Sequence, residues 1–288
     1  VRTAVSTEKN AIGFVSFGYL DSSVKGLEID EIKATATNAL TGVWPYVRPL
    51  NCITKGQPSG LAKAFLDYVL SNEFQAKMKD LNYLPLDAKY LSSSTASTST
   101  SFSGTLKIGG STTVQPVAQK AADLLMAENS GLSITIAGGG SGAGVKGAAS
   151  GEFNIGNASR GMKDSEKEAN PELVATKIAW DGIAVVVHPD NPVEGLTKQQ
   201  VYDIFTGKIV NWADVGGNEA PILVQTREEG SGTLSAFIEL ALEEIDESGE
   251  IVETAVPHSS NGMVRTAVST EKNAIGFVSF GYLDSSVK

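Results

Sequence analysis

Nine residues of this chain have the types and spacing to hold an oxyanion. They lie in or beside three short loops rich in glycine, serine and threonine: Gly109-Gly110-Ser111-Thr112-Thr113, Gly138-Gly139-Gly140-Ser141-Gly142 and Gly230-Ser231-Gly232-Thr233. Glycine lets the backbone approach a ligand closely. The start of a helix presents unpaired N–H groups and a partial positive charge. Hydroxyls add donors, and such a loop leading into a helix is a general way to bind a phosphate-like group. Thr112, Thr113, Ser141, Ser231, Gly232 and Thr233 are candidate donors on these loops, with Ser159, Arg160 and Arg227 beside them. Arginine matches an oxyanion with a planar fork of N–H groups. Three loops and two arginines point to one tetrahedral anion gripped from several sides. The alternative for each hydroxyl is an ordinary helix N-cap. For Arg160 it is a surface salt bridge, and for Arg227 an ion pair with Glu229.

Elements that would position these loops are legible around them. Strands are expected over 105–108, 133–137 and 222–226, each leading into a loop. Helices are expected after them, on the apolar stripes Val114, Val117, Ala118, Ala121, Ala122, Leu125 and Leu234, Phe237, Ile238, Ala241, Leu242, Ile245. A shorter helix carries Val145, Ala148 and Ala149, and Leu61, Ala64, Phe65, Tyr68 and Val69 mark another. Thr197 caps a helix over 198–206 that Gly207 ends. The apolar run 183–187 is read as a buried strand of the parallel type. Alternating strands and helices give an α/β, doubly wound architecture with its sites at the carboxyl ends of strands.

Composition sets the limits. A length of 288 residues allows two lobes, and no apolar run is long enough to span a bilayer. No signal sequence opens the chain, although one could have been removed. A formal net charge of −10 argues against nucleic acid and anionic membranes as partners. It does not oppose a small anion, because affinity arises from desolvated donors at the site. The single cysteine, Cys52, is expected as a small buried residue. No cysteine–histidine cluster suggests a metal, and no cofactor is expected.

Two features concern the order of the chain. Residues 1–25 recur without a change as residues 264–288, an offset of 263. Diverged repeats would differ somewhere, so the copy reads as engineered or very recent. Residues 92–103 hold ten serines and threonines in twelve positions, the composition of a flexible tether. Together they suggest a circular permutation, in which the natural order starts near Ser103, runs to Lys288, continues at Gly26 and ends near Leu86.

The stretch 196–212, LTKQQVYDIFTGKIVNW, resembles the signature of periplasmic phosphate-binding proteins, the substrate-capturing subunits of ABC phosphate importers. The strings Gly110-Ser111-Thr112-Thr113, Gly140-Ser141-Gly142-Ala143-Gly144, Ala158-Ser159-Arg160 and 227–233 match that family's ligand motifs. So do the return strand in 274–283 and Tyr83-Leu84-Pro85-Leu86. The resemblance implies a two-lobed type II periplasmic binding protein fold, circularly permuted, closing about a hinge. Lobe I would comprise 18–87 and 103–184, and lobe II 185–275. A linker over 88–102 would join the natural termini, and 1–25 and 264–288 would duplicate a lobe II helix and hinge strand. The ligand would be inorganic phosphate clamped between lobes, and the protein extracytoplasmic, delivering it to the membrane subunits of an ABC transporter. Discriminating phosphate from sulfate needs an acceptor for phosphate's proton. Some family members carry aspartate where this chain has Arg160, so Asp181 is the first candidate and Glu229 the second; for Asp181 the alternative is a turn or hinge residue.

Other classes fit less well. Around Ser141 the second glycine of G-x-S-x-G is absent, and Val145 separates Gly144 from Lys146 where a nucleotide P-loop needs Gly-Lys. The chain is therefore expected not to be an enzyme. An assembly or sensor protein on the same fold remains, with the duplicated segment competing within a chain or swapping between chains.

Overall fold

The computed structural model describes residues 12–13, 27–33, 35–81, 83–87, 91, 102–187, 191–270 and 273–279. Most of the first copy, most of the expected linker, His188 and residues 280–288 lie outside them. In chain order the elements are β1 (Ile12–Gly13), β2 (Glu28–Ile29), α1 (Ala36–Leu40), β3 (Val47–Lys55), α2 (Gly60–Val69), α3 (Asn72–Ala76), β4 (Ser103–Gly110) and α4 (Gln115–Glu128). There follow β5 (Gly131–Ala137), α5 (Ser141–Ser150), β6 (Ile155–Ala158), α6 (Asp164–Ala169), β7 (Leu173–Val187), β8 (Gly195–Leu196) and α7 (Lys198–Phe205). The described chain closes with β9 (Leu223–Arg227), α8 (Gly232–Phe237), β10 (Val256–His258), α9 (Asn261–Thr270) and β11 (Ala274–Ser279).

The chain forms two compact units, one of Pro49–Trp180 and one of the residues up to Arg48 and from Asp181 onward. In the first unit β5, β4 and β6 are parallel neighbours, and β3 joins β6 antiparallel with Cys52 opposite Asn157. The stripe foreseen on α4 packs inward: Val117, Ala118, Ala121, Ala122 and Leu125 share a core with Phe65, Phe74, Leu106 and Ile108. Cys52 lies in that core, fully buried, and burial pushes its thiol up to about 12.

In the second unit β10, β9 and β11 run parallel, and β11 pairs antiparallel with β7. The strand expected over 183–187 is thus present, with Ile183, Ala184, Val185 and Val187 buried, but its partner runs the opposite way. An apolar run reports burial on both faces and carries no information about direction. Phe205, Phe237 and Phe277 form the aromatic centre, with Phe237 stacked on Phe277 at 4.9 Å between centroids. The helix after Gly232 also departs from its sequence pattern. It widens into a π-helix over Ile238–Leu242, and Ile245, the last position of the stripe, is left exposed.

Residues 27–48 fall in the same unit as 181–279, whereas the family resemblance grouped 18–87 with 103–184. Their hydrogen bonds explain the division. Trp44 Nε1 donates to the Ile183 carbonyl at 3.0 Å, the Ile183 amide donates to the Tyr46 carbonyl at 2.7 Å, and Arg48 is ion-paired with Asp181.

Candidate functional site

In the Pro49–Trp180 unit, three adjacent parallel strands end together and each delivers a serine. β4 ends at Gly110 and releases Ser111, the loop after β5 leads to Ser141 at the head of α5, and β6 ends just before Ser159. All three side chains are buried. Ser111 Oγ donates to Ser159 Oγ at 2.9 Å, Ser141 Oγ lies 3.4 Å from Ser159 Oγ, and the Ser159 amide donates to Ser141 Oγ at 3.0 Å. Ser111 was not singled out among the sequence candidates, although its motif was. Only the register of β4 against β6 reveals that it meets Ser159.

Gly110 makes this convergence possible. Its φ of +126° is open to glycine, and an added Cβ would sit 2.4 Å from the Asn157 carbonyl oxygen. Thr112 and Thr113 occupy the turn that follows, both buried, and the Tyr83 hydroxyl donates to the Thr113 carbonyl at 2.7 Å. Neither threonine caps a helix, since Val114 is the N-cap of α4, and Ser141 is not a cap because Gly140 precedes it in that place. The N-cap alternative therefore does not account for these hydroxyls.

Arg160 follows Ser159 and is buried. Its Nη1 donates to Glu166 Oε2 at 2.8 Å and its Nη2 to Glu166 Oε1 at 2.7 Å, while Nη1 also reaches the Gly161 carbonyl. Its Nε is buried with no hydrogen-bond partner. The fork is thus committed to a carboxylate six residues on, at the first turn of α6. This pair was not assigned from sequence, although the spacing Arg160 to Glu166 was open to view. Burial pushes the Glu166 carboxyl up, but the Arg160 hydrogen bonds, the Lys163 amide and the two positive charges outweigh it, leaving the group below the ordinary glutamate range.

A depressed carboxylate stabilises the fold fully above its unfolded pKa of ~4.3, and that contribution fades as pH falls through the lower folded value. The stability difference between the parent and Glu166→Gln, followed by urea unfolding, is expected to be constant above about pH 5 and to shrink as pH falls below ~4.3. A difference that did not change with pH would show that the ion pair is not its source.

The other unit carries the remaining candidates. Arg227 is the last residue of β9 and is buried; its Nε donates to the His258 carbonyl at 3.1 Å and its Nη2 to the Ser259 carbonyl at 3.2 Å. Glu228, Glu229 and Gly230 make an exposed turn, after which Ser231 caps α8, its Oγ accepting from the Leu234 amide at 3.3 Å. Gly232 and Thr233 are buried in the first turn of α8. Burial and the Arg227 charge hold the His258 imidazole below its ordinary pKa, with Glu228 opposing them. Asp181 is fully buried and is held by Arg48, whose Nε and Nη2 both donate to Asp181 Oδ2, at 2.9 and 2.8 Å. Sequence gave no sign of this partner, which lies 133 positions away.

The carboxylates of Glu166 and Asp181 are each paired with a guanidinium, of Arg160 and Arg48 respectively. The arrangement can bind a compact anion. It contains no hydroxyl paired with a histidine that could serve as a nucleophile among the described residues.

Residues 95–287 match the PBP superfamily domain. Phosphate-binding protein PstS 2 of Streptococcus agalactiae is 39% identical over 215 residues, covering 74% of this chain and 71% of that protein. Phosphate-binding protein PstS of Bacillus subtilis is 34% identical over 181 residues, 63% of this chain and 59% of its own length. Among solved structures, a phosphate-binding protein of a phosphate ABC transporter from Streptococcus pneumoniae superposes with a TM-score of 0.62 at 33% identity, covering 73% of this chain and 79% of that one. A phosphate ABC transporter substrate-binding protein from Clostridium perfringens, solved with bound phosphate, gives 0.60 at 42% identity, over 64% and 74%. With the superfamily match extending over most of the chain and a relative this similar, the chain belongs to the PBP superfamily, in the PstS family.

Proposed function

We propose that this chain binds inorganic phosphate and delivers it to the membrane subunits of an ABC importer, on the extracytoplasmic side. The observation that carries this reading is the convergence of Ser111, Ser141 and Ser159 at 2.9–3.4 Å beside the N-terminus of α5. A relative solved with phosphate bound supports it. Within the Pro49–Trp180 unit the ligand donors in this reading are Thr112, Thr113, Ser141 and Ser159; the other unit, taken by itself, offers Arg227, Ser231, Gly232 and Thr233. Arg160 and Asp181 also belong to the ligand set in this reading, Arg160 through its buried Nε, which has no hydrogen-bond partner among the described residues. The permuted order belongs to the same reading. The superfamily match begins at 95, while β3 pairs with β6 and Leu84 bridges to Trp180. No described helix is long and apolar enough to cross a membrane.

Charge-assisted hydrogen bonds contribute about 1.5–3 kcal/mol each, and micromolar binding needs about 8 kcal/mol. Six donors are ample once dehydration of the anion is subtracted. Titration calorimetry should give micromolar or tighter binding for phosphate and for arsenate, which shares its shape and protonation, and at least tenfold weaker binding for sulfate. Nitrophenyl phosphate should bind without turnover. No heat with phosphate would refute the reading, and hydrolysis would move the chain to another class.

A further inference from the structure

The helix that starts at Gly232 does not keep its pitch, and a space opens beside it. Over Ile238–Leu242 it widens, and the Glu243 amide donates to the Ile238 carbonyl, five residues back, at 2.9 Å. Wide turns of this kind recur at functional sites. The chain then leaves the helix and returns along α7, where the Val252 amide donates to the Phe205 carbonyl at 2.9 Å. Between the returning segment and α8 lies a cavity of about 500 Å³, lined by residues of one compact unit.

The chemistry of this cavity changes from floor to rim. At the floor is Thr226 of β9, only 7% exposed, whose Oγ1 has no hydrogen-bond partner among the described residues. Strand alternation aims it there. A Cβ on Gly276 would meet Gln225 Cβ together with Val264 and Val268 of α9, so Gln225 faces α9 and Thr226 faces the opposite side, toward α8. A buried hydroxyl without a partner carries a desolvation cost that a ligand's polar group removes. The walls are apolar: Leu234, Ile238, Ile251 and Val252, all partly buried. Glu243, Glu247 and Glu250 form an exposed rim, and none of the three is in an ion pair among the described residues. They are not gathered closely enough to hold a metal ion. Arg227 also borders the cavity, but its guanidinium is held by the His258 and Ser259 carbonyls, beside β10.

We propose that this cavity is a second binding site, for a small arylalkylamine. The ammonium sits among the rim glutamates, the ring lies between the apolar walls, and a polar group on the ring reaches Thr226 Oγ1. The volume is that of an ordinary small-molecule pocket, largely apolar with a few polar groups that fix orientation. Three carboxylates at the entrance attract a cation and repel an anion, in keeping with a formal net charge of −10. The site uses none of the phosphate donors, so it stands or falls separately from that reading.

Titration calorimetry on the full-length chain, in phosphate-free buffer, tests it with three probes. Tyramine should bind with a Kd of about 0.1–1 mM, the range open to a ligand of its size. Phenethylamine lacks the hydroxyl and should bind about three- to tenfold more weakly. The anion 4-hydroxyphenylacetate should give no heat. Thr226→Val should bring tyramine down to the level of phenethylamine. Replacing Glu243, Glu247 and Glu250 together by glutamine should weaken tyramine about tenfold or more. Ile251→Trp, which fills the space, should abolish binding; if it fails to fold by circular dichroism, the glutamine variant decides, because its three positions are exposed. No heat with tyramine would overturn the proposal, as would 4-hydroxyphenylacetate binding equally well. Tyramine affinity unchanged in the glutamine variant or in folded Ile251→Trp would also reject it, since the amine would then be held elsewhere on an acidic surface. So would a preference for tyramine over phenethylamine that survived Thr226→Val.

Discussion

Arg227→Ala is expected to raise the Kd for phosphate by two to three orders of magnitude. The residue ends β9 as a buried guanidinium, held by the His258 and Ser259 carbonyls at 3.1 and 3.2 Å, so its charge is fixed in place before an anion arrives. Charged hydrogen bonds of about 1.5–3 kcal/mol each, made twice by a fork, correspond to 3–6 kcal/mol before compensation by water; tenfold in Kd is about 1.4 kcal/mol. Arg227→Lys should recover little of this loss. An ammonium cannot serve two carbonyls and a bidentate anion at once. Calorimetry on both variants, with circular dichroism to verify that β9 and β10 stay paired, checks the claim. Binding by Arg227→Ala within threefold of the parent would remove this residue from the site.

Gly144→Ala should damage the fold as well as the site. Helix α5 lies against β6 with almost no space between backbones. A Cβ on Gly144 would fall 2.3 Å from the Asn157 carbonyl oxygen, and one on Gly156 would fall 2.0 Å from the Gly144 oxygen. Backbone atoms cannot rotate aside as a flexible side chain can. Overpacking usually costs about 1–3 kcal/mol, and this contact belongs at or above the top of that range. For a domain of this size each kcal/mol lowers Tm by about 2–4 °C, so a fall of at least 6 °C is expected. Because Ser141 heads the same helix, moving α5 also pulls its hydroxyl from Ser159, and phosphate affinity should drop in parallel. Gly161→Ala is the control, since its added Cβ meets nothing within 4 Å. Equal melting temperatures for the two variants would show that the close approach is not limiting.

How far the sequence could be followed depended on the range of each interaction. The loop–helix junctions were readable because glycine and hydroxyl residues mark backbone geometry locally. Thr197 is a clear case. Its Oγ1 accepts from the Gln200 amide while Gln200 Oε1 accepts from the Thr197 amide, a reciprocal cap written in four residues. The stripe on α4 likewise marked its own buried face by period alone. Three features were out of reach. The direction of β11 against β7 depends on connectivity and not on composition. The widening of the helix at Ile238 changes which residues face inward, which a fixed 3.6-residue period cannot register. Arg48 and Asp181 meet across 133 positions, and no local pattern links them.

The Arg160–Glu166 pair lies between these cases. Six residues separate the partners, and the turn between them places the acid at the N3 position of α6, where it also accepts from the Lys163 amide at 2.8 Å. One carboxylate therefore closes a helix end and restrains an arginine beside the serine cluster.

Cys52 has a practical consequence. Reaction with maleimides and iodoacetamides goes through a thiolate, and a fully buried thiol with a pKa near 12 offers neither that ion nor access. One cysteine placed on the surface would then carry a fluorophore alone, with no need to remove the native residue first. The folded chain is ready for single-site attachment of an optical reporter.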